Sequence, residues 1–316
     1  MAQNSLADSN MLIEVVGATV SGDGVVVEGR RVPIREGVIR FRDDSGYNQS
    51  FELQWSRFRS NQFDAVNNTQ LTMKHFAETG WTANELKGKR VLEAGCGPGR
   101  FTRIFAEAGA QLLTFDYSAA VDVCRENNGH FPNAIFAQCD ILSMPFKPSS
   151  FDRVFCYGVL QHTPDPKAAF FALTKLVAPG GRIAVDVYLK DGLIRPWKSK
   201  YIWRPISTRM KPEKLLSFLE WFIPKWLPID TAIKRIPKIG NYLGSFIPCW
   251  NYHLTDLSQQ QKLAWAIMNT FDALAPVYDN PATQKEFQSW FDELGWLDTE
   301  VRPGGNGLIG NARRPI

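Results

Sequence analysis

One stretch of the chain, residues 90–101, most limits what the protein can fold into. An apolar run there ends in an acid, and a glycine-rich turn and a helical pattern follow: Arg90-Val91-Leu92-Glu93-Ala94-Gly95-Cys96-Gly97-Pro98-Gly99-Arg100-Phe101. Glycines permit positive φ and allow a ligand to lie against bare backbone. Turns of this kind hold nucleotides at the carboxyl edge of a parallel sheet. The stretch therefore predicts a strand, a tight turn and a helix in a nucleotide-binding α/β protein.

The details of this turn disfavour a dinucleotide as the ligand. Its glycines are spaced by two residues: Gly95, Gly97 and Gly99. The dinucleotide fingerprint has two residues between its second and third glycines, which this turn lacks. Acids end three successive apolar runs: Glu93, Asp116 and Asp140. The second of these can accept hydrogen bonds from the two hydroxyls of a ribose. A cationic sulfonium nucleoside fits three acids better than a pyrophosphate does, so an NAD-dependent enzyme is disfavoured.

Strand and helix patterns alternate through this part of the chain, which predicts a parallel sheet with helices on both faces. The predicted strands are 90–94, 111–115, 134–137, 153–157 and 182–188. The predicted helices begin near Arg100, Ala119 and Pro166, the last with Asp165 as its cap. Pro179-Gly180-Gly181 is predicted to end the third helix and to turn the chain into the fifth strand.

Four motifs, in this order, resemble class I S-adenosylmethionine-dependent methyltransferases of the small-molecule type that includes ubiquinone-biosynthesis enzymes. The motifs are Val91 to Arg100, Thr114-Phe115-Asp116-Tyr117-Ser118, Cys139-Asp140-Ile141 and Phe151 to His162. The resemblance covers about residues 85–190 and resumes at about 281–316. It implies an α/β fold with a doubly wound, mostly parallel seven-stranded sheet, and S-adenosyl-L-methionine as cofactor. The residues it implies for cofactor binding are Glu93, Gly95, Cys96, Gly97, Gly99, Asp116, Tyr117, Ser118, Asp140, Ile141 and Tyr157.

His162 is the predicted catalytic residue. Methyl transfer to a hydroxyl needs an acceptor held close to the methyl carbon and a base that takes the hydroxyl proton. His162 follows the fourth core strand, at the sheet edge where the methyl group is expected, and histidine titrates near neutral pH. A role in ordering its own loop is an equally strong interpretation of this residue.

The chain divides into four predicted regions. Residues 1–48 form a small β module with strands at 25–27 and 38–41, and residues 49–190 form the cofactor-binding core. Residues 191–280 are a helical insertion or lid for the acceptor, and 281–316 supply the last helix and a β-hairpin of the core. The first region resembles the Trm112-like zinc-ribbon appendage of some methyltransferases through Val32 to Phe41, but it lacks the zinc-binding cysteines. Docking against the core is therefore its expected use.

The insertion combines basic and aromatic residues, which is typical of a solvated lid or of a surface for an anionic or lipidic acceptor. Residues 218–229 could rest on a membrane surface as a peripheral contact, although Pro224 and Pro228 are expected to limit a continuous helix. The leading hypothesis is O-methylation of a small-molecule or lipid- or sugar-linked acceptor. A tRNA or other nucleic-acid methyltransferase is the alternative. It is disfavoured because Cys156-Tyr157-Gly158-Val159 replaces the motif usual in enzymes that methylate exocyclic base amines.

Composition excludes several other classes of protein. The net charge of +4 on 316 residues is mild and does not itself indicate nucleic acid. The five cysteines show no C-x-x-C spacing, so neither a disulfide framework nor a metal site is predicted. Residues 1–10 have no secretion-signal pattern and no run of 18 apolar residues occurs, so we expect a cytoplasmic protein. The oligomeric state is left open.

A non-catalytic subunit with the same fold is disfavoured by the intact glycines and acids.

Overall fold

The computed structural model describes residues 9–42, 46–190, 200–250 and 257–316. Its backbone divides into two compact units. The first comprises residues 1–45, 71–190 and 278–316, and the second comprises residues 46–70 and 191–277. Parts of the predicted insertion, at 191–199 and 251–256, lie outside the described residues.

The amino-terminal half of the chain supplies seven strands and seven helices among the described residues. In chain order they are α1 (Ser9–Val15), β1 (Thr19–Ser21), β2 (Gly24–Val27), β3 (Arg30–Arg35), β4 (Val38–Arg40), α2 (Gln49–Arg57), α3 (Asp64–Asn67), α4 (Leu71–Ala77), α5 (Ala83–Leu86), β5 (Arg90–Ala94), α6 (Arg100–Glu107), β6 (Gln111–Asp116), α7 (Ala120–Asn128) and β7 (Ala134–Gln138). Short 3₁₀ turns at Gly46–Asn48 and Leu160–His162 complete the description.

The carboxyl-terminal half supplies the remaining elements, of which α9 to α12 belong to the second unit. They are β8 (Phe151–Cys156), α8 (Pro166–Thr174), β9 (Val177–Val187), α9 (Lys200–Ser207), α10 (Pro212–Lys234), α11 (Gly240–Ser245), α12 (Gln259–Leu274), α13 (Gln284–Leu294), β10 (Leu297–Pro303) and β11 (Leu308–Arg313). None of the described helices is both long enough and apolar enough to cross a membrane.

The sheet differs from the seven-stranded, mostly parallel sheet that the sequence predicts. The described residues form one mixed sheet of 11 strands, in the order β1-β2-β3-β4-β7-β6-β5-β8-β9-β11-β10. Strands β4 to β9 pair in parallel, whereas β1 to β4 and β9 to β10 are joined by antiparallel pairs. The seven strands from β7 to β10 are the expected core, so the fold class is α/β as predicted.

The four additional strands come from residues 19–40, which the sequence predicts as a separate β module. β4 pairs in parallel with β7, Val38 opposite Phe136 and Arg40 opposite Gln138. The amide of Phe41 extends this pairing by donating to the carbonyl of Gln138 at 3.0 Å. The module extends the sheet because β7 would otherwise present an unpaired edge, and local patterning cannot reveal such a long-range pair.

Local chemistry explains the core elements well. The predicted bounds of 90–94 are confirmed for β5, and its side chains are almost all buried because helices cover both faces. α8 begins at Pro166 with Asp165 as its cap, whose carboxylate accepts from the amide of Ala168 at 2.9 Å. The prediction that residues 179–181 end this helix is wrong. α8 ends earlier, at Thr174, and these residues lie inside β9, where the register against β8 shifts.

In the second unit, α10 is longer than its prolines suggest. It runs unbroken from Pro212 to Lys234 through Pro224 and Pro228, so the expected interruption is wrong. Both internal prolines are on the exposed side of the helix, where carbonyls that lose a backbone donor can bind water instead. The opposite side buries an apolar row and α10 packs on α12. The row consists of Leu215, Leu216, Leu219 and Ile223.

Candidate active site

The glycine turn between β5 and α6 is built from left-handed backbone. Gly95, Gly97 and Gly99 have φ values of 75°, 51° and 90°. The amides of Gly95 and Cys96 donate to the carbonyl of Phe115 at 2.8 and 3.0 Å, which ties the turn to β6. A Cβ added at Gly95 would lie 2.2 Å from a methyl carbon of Val159. The turn therefore requires glycine for space as well as for conformation.

Asp116 ends β6 beside this turn, and its carboxylate is fixed by groups of the chain. One oxygen accepts from the amide of Gly97 at 3.0 Å, and the other accepts from the amide and hydroxyl of Ser118 at 2.9 and 2.8 Å. Desolvation raises the pKa of Asp116, and these hydrogen bonds oppose that rise. The side chain stays partly exposed. A carboxylate that is held in place and has lone pairs remaining is suited to accept from a ligand's hydroxyls.

Glu93 lies beneath the turn and is fully buried. One of its carboxylate oxygens accepts from the hydroxyls of Thr102 at 2.5 Å and Thr114 at 2.7 Å. Burial raises the pKa of Glu93 to about 7, although both hydroxyls favour the ionised form. Glu93 thus joins β5, α6 and β6. Direct contact between Glu93 and a cofactor stays a prediction. With a pKa of about 7, Glu93 is only partly ionised near neutral pH, so it is a weaker negative charge than the sequence suggests.

Tyr117 and Asp140 of the predicted site contact Arg42, a residue that sequence reasoning missed. The guanidinium carbon of Arg42 lies 3.6 Å from the ring centroid of Tyr117, and one of its nitrogens lies 3.7 Å from the carboxylate of Asp140. Asp140 also accepts from the amide of Leu142 at 2.8 Å, and Ile141 is buried. The parallel pairing of β4 with β7 brings Arg42 here, so a basic residue just after the module's last strand was the available signal.

Tyr157 is surrounded by groups that the sequence does not connect with it. Its hydroxyl donates to Glu78 at 3.2 Å, and its ring stacks on His75 with centroids 5.0 Å apart. Burial, followed by the nearby charges of Asp186 and Glu78, raises the pKa of Tyr157 above its ordinary range. Glu78 also accepts from the amide of Gly305 at 2.7 Å. Tyr157 is therefore a neutral, oriented phenol at the end of β8.

Besides Glu93, the site has a second buried acid, Asp186, near the end of β9. Sequence reasoning missed Asp186. Its carboxylate accepts from the amide of Gly158 and from the side-chain amide of Asn306, the latter at 2.7 Å. Burial raises the pKa of Asp186 to about 7, against the effect of both hydrogen bonds. Asp186 thus connects the turn after β8 to the β10–β11 hairpin. Its position in an apolar strand end was a signal of the same kind as that of Asp116.

His162 lies in the 3₁₀ turn after β8 and is buried. Its Nδ1 is 3.0 Å from the carbonyl oxygen of Tyr278, and its ring meets that of Tyr188 edge-on at 5.4 Å. Since a carbonyl can only accept, Nδ1 carries the proton and Nε2 is the basic nitrogen of the neutral ring. This geometry serves either interpretation, because the Tyr278 bond orders the loop and also sets the tautomer of a base.

The thiol of Cys96 is buried within the turn, against Cys124. Burial, together with the hydrogen bond to Cys124, raises its pKa well above the ordinary thiol range. The same direction holds for the buried thiols of Cys139 and Cys156, again because of burial. A protonated, buried thiol is a poor nucleophile, so these residues pack rather than react.

Comparison with known proteins agrees with this geometry. Residues 92–185 match a family model described as a methyltransferase domain. A ubiquinone biosynthesis O-methyltransferase from Idiomarina loihiensis is 33% identical over 144 residues, which are 42% of this chain and 59% of that protein. The protein of the same name from Methylococcus capsulatus is 34% identical over 130 residues, 38% of this chain and 54% of its own length. The chain thus spans a little over half the length of these relatives.

Solved structures resemble the chain more distantly. Haemonchus contortus phosphoethanolamine N-methyltransferase 1, solved with phosphoethanolamine and S-adenosylhomocysteine, is 20% identical with a TM-score of 0.38. That match covers 52% of this chain and 41% of the other. The carbon methyltransferase of CurJ is 14% identical with a TM-score of 0.40, covering 73% of this chain and 50% of that one. At these values the likeness is too distant for a functional comparison.

The segment that forms the glycine turn, the fixed Asp116 and the end of β8 therefore matches a methyltransferase domain. It contains all of the residues predicted for cofactor binding, from Glu93 to Tyr157, as well as His162.

Proposed function

We propose that the protein is an S-adenosylmethionine-dependent methyltransferase that acts on a small-molecule acceptor, with oxygen as the preferred acceptor atom. The observation that carries this proposal is the coincidence of the methyltransferase match at 92–185 with a bare glycine turn and a fixed acid at its side. The names of the relatives support oxygen as the acceptor atom, because they are O-methyltransferases.

The residues around the turn fit this cofactor. The three glycines of 95–99 have no side chains of their own and hold left-handed backbone, and Asp116 is oriented to accept from ribose hydroxyls. Tyr117, Asp140 and Ile141 would surround the adenine, and Tyr157 the methionine part. When bound, the cofactor supplies an electrophilic methyl group on a sulfonium. The glycine turn and Asp116 bind and orient it.

Calorimetric titration tests the cofactor directly. The protein should bind S-adenosylmethionine and its demethylated product, and it should not bind NAD. Asp116→Ala should weaken that binding by about 2 kcal/mol, about thirtyfold, because it removes a charged hydrogen-bond acceptor. Glu107→Gln, at an exposed position on α6, is the matched control and should leave the affinity unchanged. Binding of NAD alone would overturn the proposal, and an unchanged affinity of Asp116→Ala would remove its ribose-binding role.

His162 is the proposed general base for the acceptor hydroxyl. Its Nδ1–H donates to Tyr278, so Nε2 is the nitrogen that takes the proton. Positioned bases contribute about a hundredfold or more to rate. His162→Asn should therefore lower kcat about a hundredfold while the cofactor affinity stays the same. His130→Asn, at an exposed turn after α7, should change neither value. An unchanged kcat with a lowered thermal midpoint for His162→Asn would assign it to loop order instead.

We also propose that the acceptor is anionic or lipid-linked and that the helical insertion determines its recognition. Support comes from composition, since residues 200–250 contain nine basic and three acidic residues together with many aromatic ones. Attaching a phosphate or an isoprenoid tail to a phenolic acceptor should then lower its KM. Equal KM values for tailed and untailed acceptors would contradict this part of the proposal and leave the methyltransferase assignment intact.

A further inference from the structure

Two short helices of the second unit expose an unusual amount of apolar surface. Ile206 on α9 is 64% exposed, and Phe246, the residue that ends α11, is 59% exposed. The indole nitrogen of Trp203 donates to the carbonyl of Phe246 at 2.8 Å, so α9 touches the end of α11. We call their exposed apolar residues the α9–α11 face. It consists of Ile202, Trp203, Ile206, Ile239, Tyr242, Leu243 and Phe246.

A second set of exposed apolar residues follows one side of α10. Phe218, Trp221 and Ile229 recur at the helical period, and Trp221 is 60% exposed. The ammonium of Lys225, on the same side, lies 3.7 Å from the Trp221 ring. α10 packs on α11, so this row and the α9–α11 face belong to one helical layer. Exposed apolar area of this extent marks a surface that binds another molecule or a membrane when the protein functions.

The charges around this apolar surface are mostly positive. Among the three acids of residues 200–250, Asp230 is buried in an ion pair with Lys234 at 2.7 Å, and Glu220 pairs with Arg57 at 2.8 Å. The basic side chains are mostly exposed. The exposed ones are Arg209, Lys211, Lys214, Lys225, Arg235 and Lys238. The segment that carries this apolar surface therefore exposes more positive than negative charge, and Lys225 lies directly beside the surface.

We propose that this helical layer docks on the surface of an anionic lipid bilayer. Tryptophan and tyrosine favour the headgroup level, aliphatic residues favour the acyl boundary, and lysine and arginine are attracted to anionic lipids. A second copy of the chain fits this surface less well, because two positively charged faces repel each other. RNA would use the charges but leaves exposed isoleucines without a partner.

Vesicle co-sedimentation without cofactor tests this proposal separately from methyl transfer. The wild-type protein should bind vesicles of phosphatidylglycerol and phosphatidylcholine in equal parts, and should bind pure phosphatidylcholine vesicles at least about tenfold more weakly because the charge attraction is absent. Ile206→Asn with Phe246→Asn should lower partitioning by about tenfold or more, since two inserted side chains are lost. The matched double variant is Met73→Asn with Val66→Asn, on α4 and α3, which removes side chains 51% and 54% exposed. It should bind as the wild type does.

Circular dichroism and a thermal melt establish that each variant is folded. If the first pair unfolds, Ile202→Asn with Leu243→Asn probes the same face. Three results would overturn the proposal: no vesicle binding by the wild type, equal loss of binding in the face and control variants, or equal binding to both kinds of vesicle. A wild-type dimer that the face variant converts to a monomer, without vesicle binding, would assign the face to a second copy. Binding of RNA without vesicle binding would assign it to nucleic acid.

Discussion

Replacing Glu93 by glutamine should stabilise the protein in a pH-dependent way. Glu93 is fully buried, and its carboxylate accepts from the hydroxyls of Thr102 and Thr114. Glutamine has nearly the same shape and keeps an oxygen that can accept from both hydroxyls. It cannot ionise, however, so Glu93→Gln mimics the protonated acid at every pH.

The magnitude follows from the pKa of Glu93, which burial raises from 4.5 to about 7. Because the folded pKa is raised, the folded state holds a proton that the unfolded state has lost between these two values. The wild type therefore loses stability as the pH rises from about 4.5 to about 7. The full loss is about 3 kcal/mol, at 1.36 kcal/mol for each pH unit between the two pKa values. Below pH 4.5, wild type and Glu93→Gln should be equally stable.

Urea denaturation, followed by tryptophan fluorescence at several pH values from 4.5 to 8, measures this difference. Glu93→Gln should exceed the wild type by about 3 kcal/mol at pH 8, with the gap closing toward pH 4.5. Other titrating groups, Asp186 among them, are present in both proteins and cancel in the comparison. Glu107→Gln makes the same change at an exposed site and should give a small difference. A Glu93→Gln protein that is less stable than the wild type at pH 8 would show that folding does not raise the pKa of Glu93 and that our reasoning is wrong.

Three further experiments have expected outcomes. Gly95→Ala should lower stability by about 3 kcal/mol in a thermal melt, because its Cβ would strike Val159 in addition to the strain of positive φ. Gly80→Ala shares the positive φ but has open space, so it should cost less, and equal costs would remove the collision as a cause. Arg42→Met should weaken S-adenosylmethionine binding about tenfold by calorimetry, since a stacked cation is lost. Unchanged affinity would make Arg42 structural only. Metal analysis should find no zinc, and a stoichiometric zinc that is lost with residues 1–48 would contradict this expectation.

The parts of the site that were predictable are those encoded by local sequence. The glycine turn requires particular residues at particular positions, and Asp116 follows directly from the end of an apolar run. Arg42 and Glu78 were missed because their contacts depend on pairing between distant segments. Arg42 reaches Asp140 only through the joining of β4 to β7, and no periodicity in the sequence specifies that pair.

The same principle explains the predictions that failed. A proline usually interrupts a helix because it removes a backbone hydrogen bond. Both prolines of α10 lie on the exposed side, where water can replace the lost bonds, so the helix continues through them. For the sheet, the alternation of apolar and polar residues correctly located strands near 25–27 and 38–41. It does not indicate which strands they pair with. Which side of α10 is exposed and which strand pairs with β4 both depend on contacts between distant parts of the chain. A short stretch of sequence does not contain that information.

The joining of β4 to β7 also has a consequence for how the chain folds. Arg40 and its partner Gln138 are 98 residues apart, so β4 leaves the ribosome long before its neighbour exists. β4 can pair only after β7 has been made, and closing the long loop between them has an entropic cost that the pairing must offset. The module at residues 19–40 is thus made before the strand with which it pairs, and it cannot join the sheet until β7 has formed. Until it does, the nascent protein has an open strand edge that is exposed to other chains.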